Sequence, residues 1–179
     1  MHLFFERASG LTETIIAAAI EVDRDKWPGL IESSNSWAPT TTASAPTGRE
    51  LPTAVWTGTE MIVWGGYSYD GVDHYWNTGG RYNPGMDSWL ASSTTNAPGG
   101  RESHRAVWTG SEMIVWGGYL YDGANHELNT GGKYNPGTNN WIATSTTNVP
   151  AGRDTHGAVW TGSEMIVWGD ISLTVTTTI

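Results

Sequence analysis

The chain has 179 residues, enough for one domain with a core of ordinary size. Its 18 acidic and 9 basic side chains give a formal net charge of −9, which argues against a nucleic-acid partner. The absence of cysteine excludes disulfides, thiolate zinc sites and a thiol nucleophile, while 23 glycines and only 15% charged residues favour an all-β protein with tight turns.

The first predicted element is a helix over about residues 12–25. Apolar residues from Leu11 to Val22 recur at the spacing of one helical face, Thr12 can cap the start, and Pro28 ends the helix. No apolar run reaches the roughly 18 residues that a membrane-spanning helix needs, and no secretory signal precedes it. We therefore expect no membrane partner and, as the chain is written, a cytoplasmic protein.

A segment that occurs three times follows. AVWTGTEMIVWGGY at 54–67 returns as AVWTGSEMIVWGGY at 106–119 and as AVWTGSEMIVWG at 158–169. Equivalent tryptophans are 52 residues apart. A period near 50 that contains several short strands indicates a propeller blade rather than a helical solenoid.

Each complete repeat is predicted to form a four-stranded sheet. In the central repeat the strands are expected at about 104–108, 112–116, 131–135 and 139–145. A long polar loop, YLYDGANHELNT, is expected between the second and third strands. Because both faces of the second strand, EMIVW, are apolar, we expect sheets over roughly 53–92 and 104–145 to stack face to face.

Three features of the repeat together resemble the kelch repeat: a double glycine after the second strand, a tyrosine in the third and a tryptophan in the fourth. These residues are Gly65, Gly66, Tyr82, Trp89, Gly117, Gly118, Tyr134 and Trp141. The resemblance covers about 33–169 and implies part of a β-propeller of six or seven four-stranded blades, as in galactose oxidase-like proteins. The remaining repeat tryptophans are expected to pack between blades: Trp56, Trp64, Trp108, Trp116, Trp160 and Trp168. The third copy departs from the pattern, with Gly169-Asp170 in place of the double glycine.

Residues 1–32 resemble a different family. They are similar to the opening helix of the GxxExxY family, small bacterial proteins with a PD-(D/E)xK nuclease-like fold. Gly29 and Glu32 match its motif, and Asn35 stands at the tyrosine position. The strands that would carry the metal-binding carboxylates of such a nuclease do not follow. We therefore divide the chain into a helical segment (1–32), kelch-like blades (33–170) and a tail that could act as a makeshift strand (171–179).

Candidate ligand-binding residues lie in two kinds of loop, which share one face in kelch-like propellers. They are Arg49, Asp70, Asp73, His74, Arg101, Asp122, Asn125, His126 and Arg153. Convergent Arg, Asp and His side chains could bind an anionic or sugar ligand, but recurrence at repeat spacing also fits hydrogen bonding within the loops. One loop supplies too few ligands for calcium or zinc, so we predict no metal, no cofactor and no catalytic residue.

Three functions remain open. The chain could be a non-catalytic kelch-repeat module that binds a protein or carbohydrate, a truncated or fused product without independent function, or a fragment of a carbohydrate-active kelch-type enzyme. The copper-radical site of galactose oxidase needs a Tyr–Cys crosslink, which a chain without cysteine cannot form. About eleven strands are counted, against roughly twenty-four in a six-bladed ring. Open blade edges therefore predict self-association, for example of two chains head to tail.

Overall fold

The computed structural model describes residues 38–169 and 177–178, and every regular element within them is a β-strand. All of these strands belong to the compact unit formed by residues 40–179. The predicted helix over 12–25 lies outside the described residues. So does Trp37, around which the 52-residue interval from Trp89 and Trp141 predicts the fourth strand of an earlier copy. In the part of the chain that the structure describes, no helix is long and apolar enough to cross a membrane.

The strands form five antiparallel sheets: one main sheet for each copy of the repeat, and a small two-stranded sheet in each of the first two copies. The first repeat contains β1 (Thr53–Trp56), β2 (Met61–Trp64), β3 (Tyr67–Tyr69), β4 (Asp73–Tyr75), β5 (Gly79–Asn83) and β6 (Ser88–Ala91). The second contains β7 (Arg105–Trp108), β8 (Met113–Trp116), β9 (Tyr119–Tyr121), β10 (Asn125–Glu127), β11 (Gly131–Asn135) and β12 (Asn140–Ala143). The third contains β13 (Gly157–Trp160), β14 (Met165–Trp168) and β15 (Thr177–Thr178).

The first two sheets have the same topology. Their orders are β1-β2-β5-β6 and β7-β8-β11-β12, so each strand pairs with the next one along the chain once the inserted hairpin is set aside. The registers are also equivalent: Trp56 lies opposite Met61 in the first sheet, and Trp108 lies opposite Met113 in the second. The prediction of two four-stranded antiparallel sheets is confirmed.

The prediction of a long polar loop is partly wrong, because this segment contains a two-stranded hairpin in each of the first two repeats. These hairpins are β3–β4 and β9–β10, and each forms a small sheet of its own. Tyrosine favours strands, and Gly71 and Gly123, both at φ +109°, allow the tight turn between them. Strands of three residues with polar side chains are too short for their alternation to stand out in the sequence.

The third sheet is narrower. β14 pairs with β13 on one side and with β15 on the other, giving the order β13-β14-β15. Thr177 lies opposite Val167, whereas in the second sheet Gly132 lies opposite Val115. The backbone of Thr177–Thr178 therefore stands where β11 stands in the second sheet.

The core lies between successive sheets rather than within any one of them. Ile62 and Trp64 of the first sheet are fully buried against side chains of the second. Those partners are Met113, Val115, Tyr134 and Trp141. Since alternate residues of a strand point to opposite faces, β8 is covered on both sides, and all four of its residues are buried.

A second core layer repeats the first 52 residues later. Ile114 and Trp116 of the second sheet are buried against Met165 and Val167 of the third. β7 lies beside both β1 and β13, so the first strands of the three sheets are neighbours. The three sheets are therefore stacked in one direction, with the same residue types at each junction.

Candidate functional site

Two kinds of loop meet at the end of the sheets where the double glycines lie. The segment before β1 bonds to the β3–β4 hairpin through Glu50 and Tyr67, with N···O distances of 2.7 and 2.8 Å. Glu102 and Tyr119 make the equivalent pair in the second repeat, at 3.0 and 2.9 Å. We call the surface formed by residues 49–50, 101–102 and 153–154 together with the two hairpins the loop face.

Hydrogen bonds also join the loop face across the first junction between sheets. The amide of Gly66 donates to the carbonyl of Arg101 at 2.8 Å, and the amide of Arg101 donates to the carbonyl of Trp76 at 3.3 Å. The start of the second repeat is therefore hydrogen-bonded to the residues that flank the hairpin of the first repeat. Two loops that are distant in sequence are held in one fixed arrangement.

The candidate arginines stabilise this arrangement through hydrogen bonds to backbone carbonyls of the loops. Arg101 is almost fully buried, and its guanidinium donates to the carbonyls of Gly99, Gly117 and Thr130 at 2.7–2.9 Å and to the Thr130 hydroxyl at 3.1 Å. Burial lowers the pKa of Arg101 to about 10, so the group remains charged at neutral pH. Its donors are directed to the chain's own backbone, which gives Arg101 a structural role in closing the loops.

Arg49 and Arg153 make related contacts. Arg49 donates to the carbonyls of Gly65 and Thr78 at 3.0 and 2.8 Å, and its guanidinium lies 5.3 Å from the ring centre of Trp76. Arg153 is buried and donates to the carbonyl of Gly169 at 3.1 Å. The structure therefore places the predicted arginines at equivalent positions beneath the loop face.

The candidate Asp and His residues form local pairs in the hairpins. The Nε2 atom of His74 lies 3.0 Å from Oδ1 of Asp70, and that of His126 lies 2.8 Å from Oδ1 of Asp122. Each hydrogen bond holds the pKa of its aspartate below the ordinary value. His74 also stacks on Trp76, with ring centres 5.5 Å apart. Each pair therefore fixes its own hairpin.

Asp73 and Asn125 accept hydrogen bonds from the first tyrosine of their hairpins. The hydroxyl of Tyr67 donates to Asp73 at 2.7 Å, and the hydroxyl of Tyr119 donates to Asn125 at 2.8 Å. The bond to the Asp73 carboxylate raises the pKa of Tyr67 to about 12, so this phenol remains neutral. Both acceptors are exposed at the loop face.

Three tyrosines that the sequence analysis did not select line the loop face. The rings of Tyr67 and Tyr75 have centres 5.2 Å apart, and Tyr75 approaches Tyr119 edge to face at 6.2 Å. All three are partly exposed. Their row crosses from the first hairpin to the second, and this proximity depends on the stacking of the sheets. Sequence spacing alone does not reveal it.

A second missed set consists of the acidic residues that follow the arginines. In each copy of the repeat an acidic residue directly follows the arginine; these residues are Glu50, Glu102 and Asp154. The dipeptides RE, RE and RD, repeated at an interval of 52 residues, are the sequence signal that could have identified them. Burial, followed by the negative charges of Asp154, Glu50 and Asp73, raises the pKa of Glu102. The loop face therefore concentrates carboxylates beside tyrosine rings.

The two histidines that start the repeat are packing residues. His104 is fully buried, with Nε2 2.7 Å from the Thr53 hydroxyl and its ring edge-to-face with Trp64 at 5.2 Å. Burial, together with the charges of Arg101 and Arg105, lowers the pKa of His104 to about 3. His156 is also buried and lies edge-to-face with Trp116.

Within residues 38–169 there is no group of three or more His, Asp or Glu side chains that could hold a metal ion. The polar groups at the loop face can accept hydrogen bonds and attract a positively charged group, and the tyrosines add flat apolar surface.

No family model matches the chain, and no curated protein shows significant similarity to it.

Proposed function

We propose that this chain is a non-catalytic binding module of the kelch β-propeller type, with a loop face that binds a positively charged protein segment. The observation that carries the proposal is the row of tyrosines, Tyr67, Tyr75 and Tyr119, flanked by the carboxylates of Glu50 and Glu102. Such a surface suits the side chains of lysine and arginine, which combine a cation with an apolar stem.

The propeller assignment is supported by the repetition of the sheets. Each junction uses the same residue types, and the first strands β1, β7 and β13 lie side by side. A propeller arranges its sheets radially, with the first strand of each sheet nearest a common axis, and neighbouring first strands are compatible with that arrangement. The kelch-like double glycines support the same assignment, because they end the second strand where the chain turns into the loop face.

The preference for a cationic ligand follows from where the charges lie. The guanidinium groups of Arg101 and Arg153 are buried and bonded to carbonyls, whereas Glu50 and Asp73 are exposed. An anionic ligand would meet these carboxylates first. Opposite charge at such a surface mainly accelerates encounter and selects the partner.

A neutral carbohydrate is the second candidate. The rings of Tyr69 and Tyr121 are exposed at the two hairpins, beside the Asp–His pairs. Flat aromatic surface next to fixed hydrogen-bonding groups is also suited to a sugar ring. The two candidates differ in their dependence on salt, because only the cationic ligand is attracted by net charge.

Titration calorimetry can test the proposal with a short peptide containing two arginines in a glycine–serine context, its glutamine counterpart, and a neutral oligosaccharide. We expect only the arginine peptide to bind, with an affinity that falls as salt increases. The substitution Glu102→Gln should weaken binding about tenfold, whereas Glu164→Gln should have no effect. Glu164 is exposed in the turn before β14, at the opposite end of the sheets. Equal binding of the arginine and glutamine peptides would contradict the assignment of a cationic ligand.

A further inference from the structure

The two junctions inside the chain define what each face of a sheet binds. One face of the first sheet, which includes Ile62 and Trp64, covers Met113 and Val115 of the second. The corresponding face of the second sheet covers Met165 and Val167 of the third. We call the face that carries the Ile and Trp of MIVW the forward face, and the one that carries the Met and Val the rear face. Within the chain, a forward face always packs on the next rear face.

In the part of the chain that the structure describes, the forward face of the third sheet is largely exposed. Trp168 is 68% exposed, whereas its counterpart Trp116 is fully buried at 0%. Val159 is 58% exposed, compared with 7% for Val107. An alanine Cβ at Gly169 would have no heavy atom nearer than 4.0 Å, whereas one at Gly117 would meet the ring of His156 at 2.6 Å. The same side chains are thus presented without the sheet that covers them in the second repeat.

The rear face of the first sheet is open as well. Trp56 is 53% exposed, and a hollow of about 410 Å³ lies beside it. The hollow is lined by Ala54, Val55, Trp56, Met61, Tyr82 and Pro84. In the second sheet the equivalent residues Trp108, Met113 and Tyr134 pack against the first sheet. None of the residues that line the hollow is charged, so the surface is apolar.

We propose that these two faces bind each other between chains, so that the forward face of the third sheet packs on the rear face of the first sheet of a second copy. The occupant is identified by the chain itself, because both internal junctions join the same residue types. Val159, Ile166 and Trp168 repeat Val107, Ile114 and Trp116, while Trp56 and Met61 repeat Trp108 and Met113. The contact is head to tail, with different surfaces on the two partners.

One position differs between the internal junctions and the junction between chains. In the second and third repeats a buried histidine packs on the tryptophan of the preceding sheet, as His104 does on Trp64. In the first repeat Pro52 stands at that position. Trp168 would therefore meet a proline ring, which has no polar atom to satisfy. The apolar character of the contact is preserved.

The proposal does not depend on the loop face, since the residues of the two end faces differ from those assigned to ligand binding. It can be tested by sedimentation velocity over about 1–50 µM, a range in which most self-association of functional strength is visible. We expect the wild-type chain to associate reversibly. Trp168→Glu and Trp56→Glu should each weaken self-association about 100-fold or more, as expected for a central tryptophan in an interface. Val72→Glu, at an exposed apolar residue in the β3–β4 turn, should associate like the wild type.

Mixing the two variants tests the direction of the contact. Trp168→Glu retains its rear face and Trp56→Glu retains its forward face, so an equimolar mixture should form a 1:1 complex although neither variant associates alone. Both substituted residues are more than half exposed, and circular dichroism should show the wild-type fold for each. A monomeric wild-type chain, unimpaired association of either variant, or failure of the mixture to form the complex would overturn the proposal.

Discussion

At the scale of single residues, burial differs between the two tryptophans that the repeat carries in its first and second strands. Trp116 is fully buried between the second and third sheets, whereas Trp108, one strand earlier, is only partly buried. From the sequence, both side chains are expected to pack in the core. Trp108 packs on the core between the first and second sheets but is only partly covered there, and a period of 52 residues does not indicate how far a junction extends.

We predict that Trp116→Ala destabilises the fold by about 3–5 kcal/mol, because it removes a large ring from a closed layer and leaves a cavity. Chemical denaturation followed by circular dichroism measures this change. His126→Ala is the control. Its side chain is exposed and pairs only with an exposed aspartate, so the free energy of unfolding should change by less than about 0.5 kcal/mol. Equal losses for the two variants would show that the hairpin is part of the core.

His104 makes stability depend on pH. Its pKa is about 3 in the folded chain, against about 6.5 when unfolded, so between these values the unfolded chain binds more protons. Above about pH 6.5 this group therefore does not reduce the free energy of unfolding. As the pH decreases below that value, His104 lowers the free energy of unfolding by up to about 1.4 kcal/mol per pH unit. We predict that His104→Gln reduces the slope of unfolding free energy against pH between 5 and 6.5.

The same pH series provides its own control. Val72→Ala should leave the slope of the wild type, because Val72 is exposed and has no group that titrates. An unchanged slope in His104→Gln would mean that His104 can be protonated without loss of the fold.

At the scale of elements, the sequence predicted all four main strands of the complete repeat, and the second strand carries the clearest signal because both of its faces are apolar. The second strand of each repeat, MIVW, lies at 61–64, 113–116 and 165–168, within the predicted segments. The β9–β10 hairpin was missed because its three-residue strands are largely exposed and carry no apolar alternation. The orientation of Arg101 could not be predicted either, since it depends on carbonyls 16 and 29 residues further along the chain.

In the first two repeats, the glycine that follows the second strand lies very close to residues at the start of the next repeat. Gly117 has φ +73°, and an alanine Cβ there would lie 2.6 Å from the His156 ring and 2.7 Å from the Arg153 carbonyl oxygen. We predict that Gly117→Ala costs about 2–4 kcal/mol, from left-handed strain combined with overpacking. Gly169→Ala has the strain without the collision and should cost about 1–2 kcal/mol. Thermal unfolding compares the two variants, and equal costs would contradict the close packing at Gly117.

At the scale of the whole molecule, the unit formed by residues 40–179 contains a stack of three main sheets, and its buried apolar side chains lie at the junctions between them. The second sheet contributes one face to each neighbour, whereas among the described residues the first and third sheets each present an exposed apolar face. The proposed contact between chains and the proposed loop-face site both follow from this stacking. The first uses the ends of the stack, and the second uses loops that the stacking brings together.

Nuclear Overhauser effects between aromatic protons can detect the face-to-face stacking of the first two main sheets. The ring of Trp64 has its centre 5.2 Å from those of His104 and Trp141, both of which belong to the second repeat. We predict cross-peaks from the Trp64 indole, assigned by Trp64→Phe, to both of these rings. A folded chain in which Trp64 shows cross-peaks only to residues of the first sheet would contradict the account.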